Sequence, residues 1–127
     1  MAKPRKPKAT KPKRDEAREQ RIAMEIVVDA YDEEEQTMGW CAYLEETLET
    51  PFRARCIKER AMSPLKVGDE VDVVGFASDE CEREMFVEIP WESKPTLAVP
   101  LSQLEVVRGS KATRQAVEDW HYWVERH

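Results

Sequence analysis

The stretch MFVEIPWESKPTLAVPLSQLEVV, residues 85–107, carries the pattern that decides the fold class. Residues 85–91 alternate apolar and polar side chains, as a strand with one buried face does. The segment ESKPT, 92–96, has the composition of a turn, and residues 97–107 return to an extended, apolar pattern. Extended runs joined by a short turn are typical of an antiparallel sheet.

Two segments upstream have a similar strand-like pattern. FRARCI, 52–57, alternates apolar and charged residues, and VGDEVDVVGFA, 67–77, places four valines around a Gly-Asp turn. Several short strands with tight turns predict a small, curled antiparallel sheet or barrel. KVGDEV and LAVPLSQLEVV are also similar to segments of SH3-like barrels, so we expect an SH3-like form.

Helical periodicity flanks the strands on both sides. From Asp15 onward, one apolar helical face is predicted from Ile22, Ile26, Val27, Ala30 and Tyr31. The acidic run at 32–35 suits the start of a second helix, because carboxylates are favoured at the positive N-terminal end. That helix continues to Pro51 with an apolar face of Met38, Cys41, Leu44 and Leu48, with Trp40 beside it; Gly39 is a weak point inside it.

Ser110 can cap a C-terminal helix. Its apolar face holds Ala116, Val117, Trp120, Trp123 and Val124, and we expect the tryptophans to dock the helix on the core. The fold class is therefore α+β: N-terminal helices, a small antiparallel (SH3-like) sheet or barrel, and a C-terminal helix.

Charge is distributed unevenly along the 127 residues. Residues 1–14 hold seven of the 20 Lys and Arg and none of the 26 Asp and Glu. The remainder therefore carries 13 basic against 26 acidic side chains, a net charge of −13. We predict a disordered basic Pro/Lys-rich tail over 1–20 and an acidic domain over 21–127. Self-repulsion in that domain would be relieved by bound cations, although plain solubility explains the charge equally well.

Cysteine and histidine usage narrows the site chemistry. Cys41, Cys56 and Cys81 are odd in number and widely spaced, which favours buried free thiols in a reducing cytoplasm over a disulfide. His121 stands three residues after Glu118 and four before Glu125, where a solvated helical face is a better reading than a transition-metal pair. No secretory signal, membrane-spanning run or phosphate-binding loop is present in the sequence.

Three acidic clusters could bind a cation. The first, Asp29 with 32–35, is best read as a helix start. The second, Glu45, Glu46 and Glu49, falls in the last turn of a helix, where the macrodipole is negative and the carboxylates at 45 and 49 repel each other. The alternative there is a solvated helix end. The third cluster lies in a loop between strands and is either a ligand loop or a hydrophilic hairpin tip; it comprises Asp79, Glu80, Glu82 and Glu84.

Calcium fits these clusters chemically, because it takes six to eight oxygen ligands at about 2.3–2.6 Å. No EF-hand is present, since neither DAYDEEEQTMGW nor GDEVDVVGFASD has the required spacing. A calcium site must therefore be assembled from separated segments. Our hypothesis is that Glu45 and Glu46 meet the 79–84 loop, with calcium bridging them.

The chain also resembles the CcbP-type family of small bacterial calcium-binding proteins, over residues 20–124. The resemblance rests on RIAMEIVVDAYDEEEQTMGWCAYLEETLETPFRARC at 21–56, SPLKVGDEVDVVGFASDECEREMFVEI at 63–89, LAVPLSQLE at 97–105 and TRQAVEDWHYW at 113–123. It implies an acidic, non-EF-hand domain that holds Ca²⁺ with carboxylates, without enzymatic activity. The positions matching its acidic stretches are Glu45, Glu46, Asp79, Glu80 and Glu82.

These observations predict a cytoplasmic calcium buffer or sensor. The alternative is an SH3-like adaptor that binds an unknown protein, or weakly binds nucleic acid, through the basic tail. A metal-dependent hydrolase built on the same carboxylates is a third, more distant reading.

Overall fold

The computed structural model describes residues 15–92 and 94–126. Its three α-helices are α1 (Glu16–Arg21), α2 (Glu33–Thr47) and α3 (Lys111–Arg126), and a π-helical turn, Ile22–Ile26, follows α1 directly. The strands are β1 (Phe52–Cys56), β2 (Glu70–Val73), β3 (Gly75–Phe76), β4 (Phe86–Trp91), β5 (Lys94–Pro100) and β6 (Leu104–Arg108). Short 3-10 turns cover Ser78–Glu80 and Leu101–Gln103.

The strands form two antiparallel sheets of three strands each, ordered β2-β1-β6 and β3-β4-β5. Alternation places one face of β1 inside: Phe52, Ala54 and Cys56 are buried, whereas Arg55 is exposed. The α+β class predicted from the sequence is confirmed. Its SH3-like character stays a prediction.

The C-terminal helix α3 covers the core as predicted. Ser110 Oγ accepts the backbone N–H of Thr113 at 3.0 Å, so the predicted cap is present. Trp120 is buried, and its ring lies 5.1 Å from that of Trp40 in an edge-on arrangement. Trp123 packs partly buried beside the same ring of α2. The tryptophans therefore join α3 to α2 and to the sheets.

The N-terminal helix is shorter than its apolar spacing predicts. Ile22 and Ile26 are buried, but the chain leaves the helical path after them, and Asp29 adopts a positive φ of 62°. Tyr31 is 87% exposed, so its predicted place on the buried face is wrong. Because the N-terminal helical segment ends at Ile26, α2 can pack close to it: a Cβ added at Gly39 would lie 2.5 Å from the carbonyl oxygen of Ile26. Gly39 is therefore required for close packing and is not simply a weak point.

Helix α1 is held to α3 by charge. The carboxylate of Asp119 is fully buried and accepts N–H groups from Arg18 at 2.9 Å and from Arg21 at 2.8 and 3.0 Å. The folded unit thus includes residues from Asp15 onward, earlier than the predicted boundary at residue 20. The predicted basic tail, residues 1–14, lies outside the described residues.

Candidate functional site

The start of α2 is built by its own acidic residues. Asp32 accepts the backbone N–H of Glu35 at 2.9 Å, and Glu35 reaches back to the backbone N–H of Tyr31 at 2.6 Å. These bonds satisfy donors that a helix start leaves free. The first acidic cluster is therefore a helix start, as the sequence indicates. Glu33 and Glu34 remain exposed on that first turn.

A disulfide joins α2 to the β3–β4 connection, residues 77–85, which we call the acidic loop. It links Cys41 with Cys81, and the two Cα atoms are 6.0 Å apart. The prediction of free thiols is wrong for this pair, because the fold brings together cysteines 40 residues apart in sequence. For Cys56 it is confirmed: the thiol is buried, and burial raises its pKa.

The acidic loop is fixed at its C-terminal end. Met85 is fully buried, and Glu84 Oε2 accepts an ion-pair contact of 2.7 Å from Arg60. The other oxygen of Glu84 accepts the hydroxyl of Ser102 at 3.1 Å. Glu84 is therefore already paired, whereas the side chains of Asp79, Glu80 and Glu82 have no partner within residues 15–92 and 94–126.

A groove runs between this loop and the N-terminal half of α2, which we call the acidic groove. It encloses about 640 Å³ and is lined by Glu33, Glu34, Thr37, Met38, Met62, Cys81, Glu82, Arg83, Glu84 and Phe86. Met38 is 65% exposed here, so its predicted place on the buried face of α2 is wrong. Beyond Cys81 the loop thus borders the same groove as the start of α2, and Glu82 lines this groove together with Glu33 and Glu34.

The other half of the loop lies nearer the C-terminal half of α2. The turn Ser78–Glu80 contacts α2, and Cys41 Sγ is 3.7 Å from the carbonyl oxygen of Ser78. Glu45 follows Cys41 by one helical turn and so lies on the same side of α2. Glu46 does not: at about 100° per residue it points about 200° away from buried Leu44, toward solvent. Helix geometry therefore favours Glu45 over Glu46 on the side of the loop, and the role of either residue as a ligand stays a prediction.

All five predicted ligands have exposed side chains: Glu45, Glu46, Asp79, Glu80 and Glu82. Within the residues that the structure describes, none of these five carboxylate groups makes a hydrogen bond or ion pair. The same part of the chain contains no group of three or more Asp, Glu, His or Cys side chains placed to hold a metal ion. The oxygen-donor chemistry fits calcium, and the side chains must still converge for calcium to bind.

Glu33 and Glu34 are the residues that sequence reasoning assigned to helix capping and that the structure adds to the candidate site. Their position in the acidic run could not reveal this, because their proximity to Glu82 depends on how the loop crosses α2. Behind them, a cavity of about 240 Å³ reaches the aromatic core, where Trp40 and Trp120 are buried. Tryptophan fluorescence is therefore a suitable reporter for this side of the molecule.

His121 lies on the opposite side of α3. It is partly buried rather than on the predicted solvated face, and burial lowers its pKa. Backbone hydrogen bonding to Leu104 and the charge of Glu125 oppose that shift. Its Nε2 atom has no hydrogen-bond partner among the described residues. This histidine lies on the face of α3 that packs near the 101–103 turn and is not part of the candidate site.

A protein family and two solved structures are similar to this chain. A family model for calcium binding, that of the CcbP type, matches residues 20–124. The crystal structure of Anabaena CcbP superposes with a TM-score of 0.76 at 39% identity, over 90% of this chain and 94% of that chain. The structure of a calcium binding protein in its calcium-binding form gives a TM-score of 0.73 at 39% identity, over 89% and 93%. No curated protein matches.

No helix in residues 15–92 or 94–126 combines the length and the apolar character needed to cross a membrane.

Proposed function

Because the chain belongs to the CcbP family of calcium-binding proteins, we propose that it binds Ca²⁺ between α2 and the acidic loop and acts as a cytoplasmic calcium buffer or sensor. Among the residues that the structure describes, both segments carry exposed carboxylates without hydrogen-bond or ion-pair partners, and this observation supports the location. On the β2-β1-β6 sheet, by contrast, Asp72 pairs with Arg53 at 2.9 Å, and Glu105 pairs with Arg55 at 2.6 Å.

The proposal includes two groups of possible calcium ligands, one toward each half of α2. Toward the C-terminal half of α2, Glu45 would hold the ion together with Asp79 and Glu80. Toward the N-terminal half, Glu82 would hold it with Glu33 or Glu34. Carbonyl groups and water can complete the shell, because calcium accepts flexible coordination by six to eight oxygens.

Electrostatics supports calcium as the occupant. The acidic domain has a net charge of −13 over residues 15–127, and like charges gathered on one face destabilise the compact state. A divalent cation bound at that face removes this repulsion. Binding then raises the thermal stability in proportion to the logarithm of the calcium concentration. The proposal assigns the carboxylates to ion binding and none of them to catalysis.

Isothermal titration of the metal-free protein with Ca²⁺ tests binding, and the same titration with Mg²⁺ tests selectivity. We expect calcium heat with weaker magnesium heat, since magnesium demands a smaller, near-octahedral site and dehydrates reluctantly. No calcium heat at millimolar metal would contradict the proposal.

A two-dimensional NMR titration locates the site. We expect the largest calcium-induced shifts in residues 33–46 and 78–84. Shifts confined to α3 or to the β2-β1-β6 sheet would place the ion elsewhere.

The alternative role as an adaptor depends on the basic segment at 1–14, outside the described residues. Deleting that segment separates the two roles, since calcium heat should survive the deletion. A salt-dependent affinity for nucleic acid that disappears with it would favour the adaptor.

A further inference from the structure

The disulfide between Cys41 and Cys81 occupies a central position in the proposed calcium site. Cys81 stands between Glu80 and Glu82, and Cys41 lies one helical turn before Glu45. The bond therefore crosslinks the two segments whose carboxylates have to converge on the ion.

The crosslink can be reached from solvent. Both of its cysteines are partly exposed, and Cys81 lines the open acidic groove. The third cysteine provides a contrast within the same chain. Cys56 is 1% exposed, and its Sγ donates to the carbonyl oxygen of Lys58 at 3.2 Å. A thiol reagent can thus reach the disulfide while Cys56 stays protected.

In the described part of the chain, few other bonds hold the middle of the acidic loop to α2. Its backbone bonds are local, from Glu80 to Ala77 at 3.1 Å and from Glu82 to Glu84 at 3.3 Å. The anchors at Glu84 and Met85 fix the loop to the Arg60 and Ser102 side and not to α2. Residues 78–83 therefore rely on the disulfide for their position against the helix.

We propose that Cys41–Cys81 is a reversible redox modification site that accepts a dithiol reductant and sets the calcium affinity of the protein. The part concerning affinity rests on the function proposed above. In the oxidised form the loop is held against α2, so that only the side chains have to move for the carboxylates to converge on calcium. In the reduced form calcium has to order the loop as it binds.

The chemistry is thiol–disulfide exchange. A thiolate of the reductant attacks one sulfur, forming a mixed disulfide as the Cys41–Cys81 bond breaks, and the displaced cysteine takes up a proton. The second thiol of the reductant then displaces the other cysteine. The products are two cysteine thiols and one oxidised reductant, so two electrons pass to the protein. A small disulfide such as oxidised glutathione reverses the reaction through the same steps.

The metal-free protein tests the modification itself. After treatment with oxidised glutathione, native alkylation followed by mass measurement should label no cysteine. After dithiothreitol it should label two, Cys41 and Cys81, with Cys56 unlabelled. Hydrogen exchange of the 78–83 amides should become about tenfold faster on reduction, while exchange in β4 stays unchanged. Two labelled cysteines under both conditions, or unchanged exchange at 78–83, would overturn the proposal.

Calcium titration of the oxidised and reduced protein tests the effect on affinity. We expect reduction to weaken binding about tenfold, the effect of ordering roughly one additional backbone residue. Cys41→Ser and Cys81→Ser should each bind as the reduced protein does under both conditions. The matched control, Cys56→Ser, should keep the redox response of the unmodified chain, with circular dichroism confirming that each variant is folded.

The outcomes separate the two proposals. Equal calcium affinity in both redox states overturns redox control and leaves calcium binding intact. Absence of calcium heat in both states overturns the proposed function, and with it the control of affinity.

Discussion

Carboxylates serve opposite purposes in two regions of this molecule. Asp119 on α3 is fully buried and accepts three N–H groups from Arg18 and Arg21, which fix α1 to the core. Glu82 in the acidic loop is exposed and has no ion pair among the described residues. Burial with full pairing makes a carboxylate part of the fold, whereas exposure without a partner leaves it available for a ligand.

The largest test removes the buried charge. Asp119→Asn leaves two guanidinium groups facing a neutral amide, and we expect the free energy of unfolding to fall by about 3 kcal/mol. Urea unfolding measures the change. Asp72→Asn is the matched control, because its pair with Arg53 is exposed and should contribute less than about 1 kcal/mol. Equal losses in the two variants would remove the distinction between paired, buried carboxylates and exposed ones.

The second test concerns how closely the π-helical turn Ile22–Ile26, which follows α1, approaches α2. Gly39→Ala places a methyl group against the Ile26 carbonyl, and we expect a loss of about 2 kcal/mol despite the better helix propensity of alanine. Ala42→Ser, on the exposed side of α2, should change stability by no more than about 0.5 kcal/mol. Thermal unfolding compares the two. A more stable Gly39→Ala variant would show that helix propensity outweighs this contact.

The third test compares Glu45 and Glu46, two neighbouring exposed glutamates in the last turn of α2. Glu45 lies on the Cys41 side of α2 and Glu46 faces solvent, so we expect Glu45→Gln to weaken calcium binding about fivefold and Glu46→Gln less than about twofold. Isothermal titration gives both affinities. Neither exchange should change the metal-free stability by more than about 0.5 kcal/mol, because both side chains are exposed. A larger effect at Glu46 would reverse the assignment of the ligand face.

The smallest effect is a pH dependence. Burial lowers the pKa of His121 below its ordinary value of 6.5, so below pH 6.5 the unfolded state binds more protons than the folded state. This contribution therefore reduces stability as the pH falls below 6.5. Urea unfolding between pH 7 and 5 should show a shallower loss in His121→Gln than in the control His127→Gln. Identical slopes would mean that His121 titrates alike in both states.

Local chemistry could be predicted well from the sequence. The Asp32 helix start, the Ser110 cap and the alternation in β1 depend on residues close together along the chain. The acidic clusters proposed for the candidate site could be recognised for the same reason, because each is a run of neighbouring residues. The choice between Glu45 and Glu46 could not, because it depends on which side of α2 the acidic loop crosses.

The sequence by itself determined the α+β class, the helix starts at Asp32 and Ser110 and the concentration of negative charge beyond residue 14, because these follow from neighbouring residues and from composition. Only the tertiary structure decided that Cys41 pairs with Cys81, that Asp119 receives Arg18 and Arg21, and that Tyr31 stays in solvent. The two arginines are 101 and 98 residues from Asp119. Contacts at such separations depend on how whole elements pack, which no local pattern encodes.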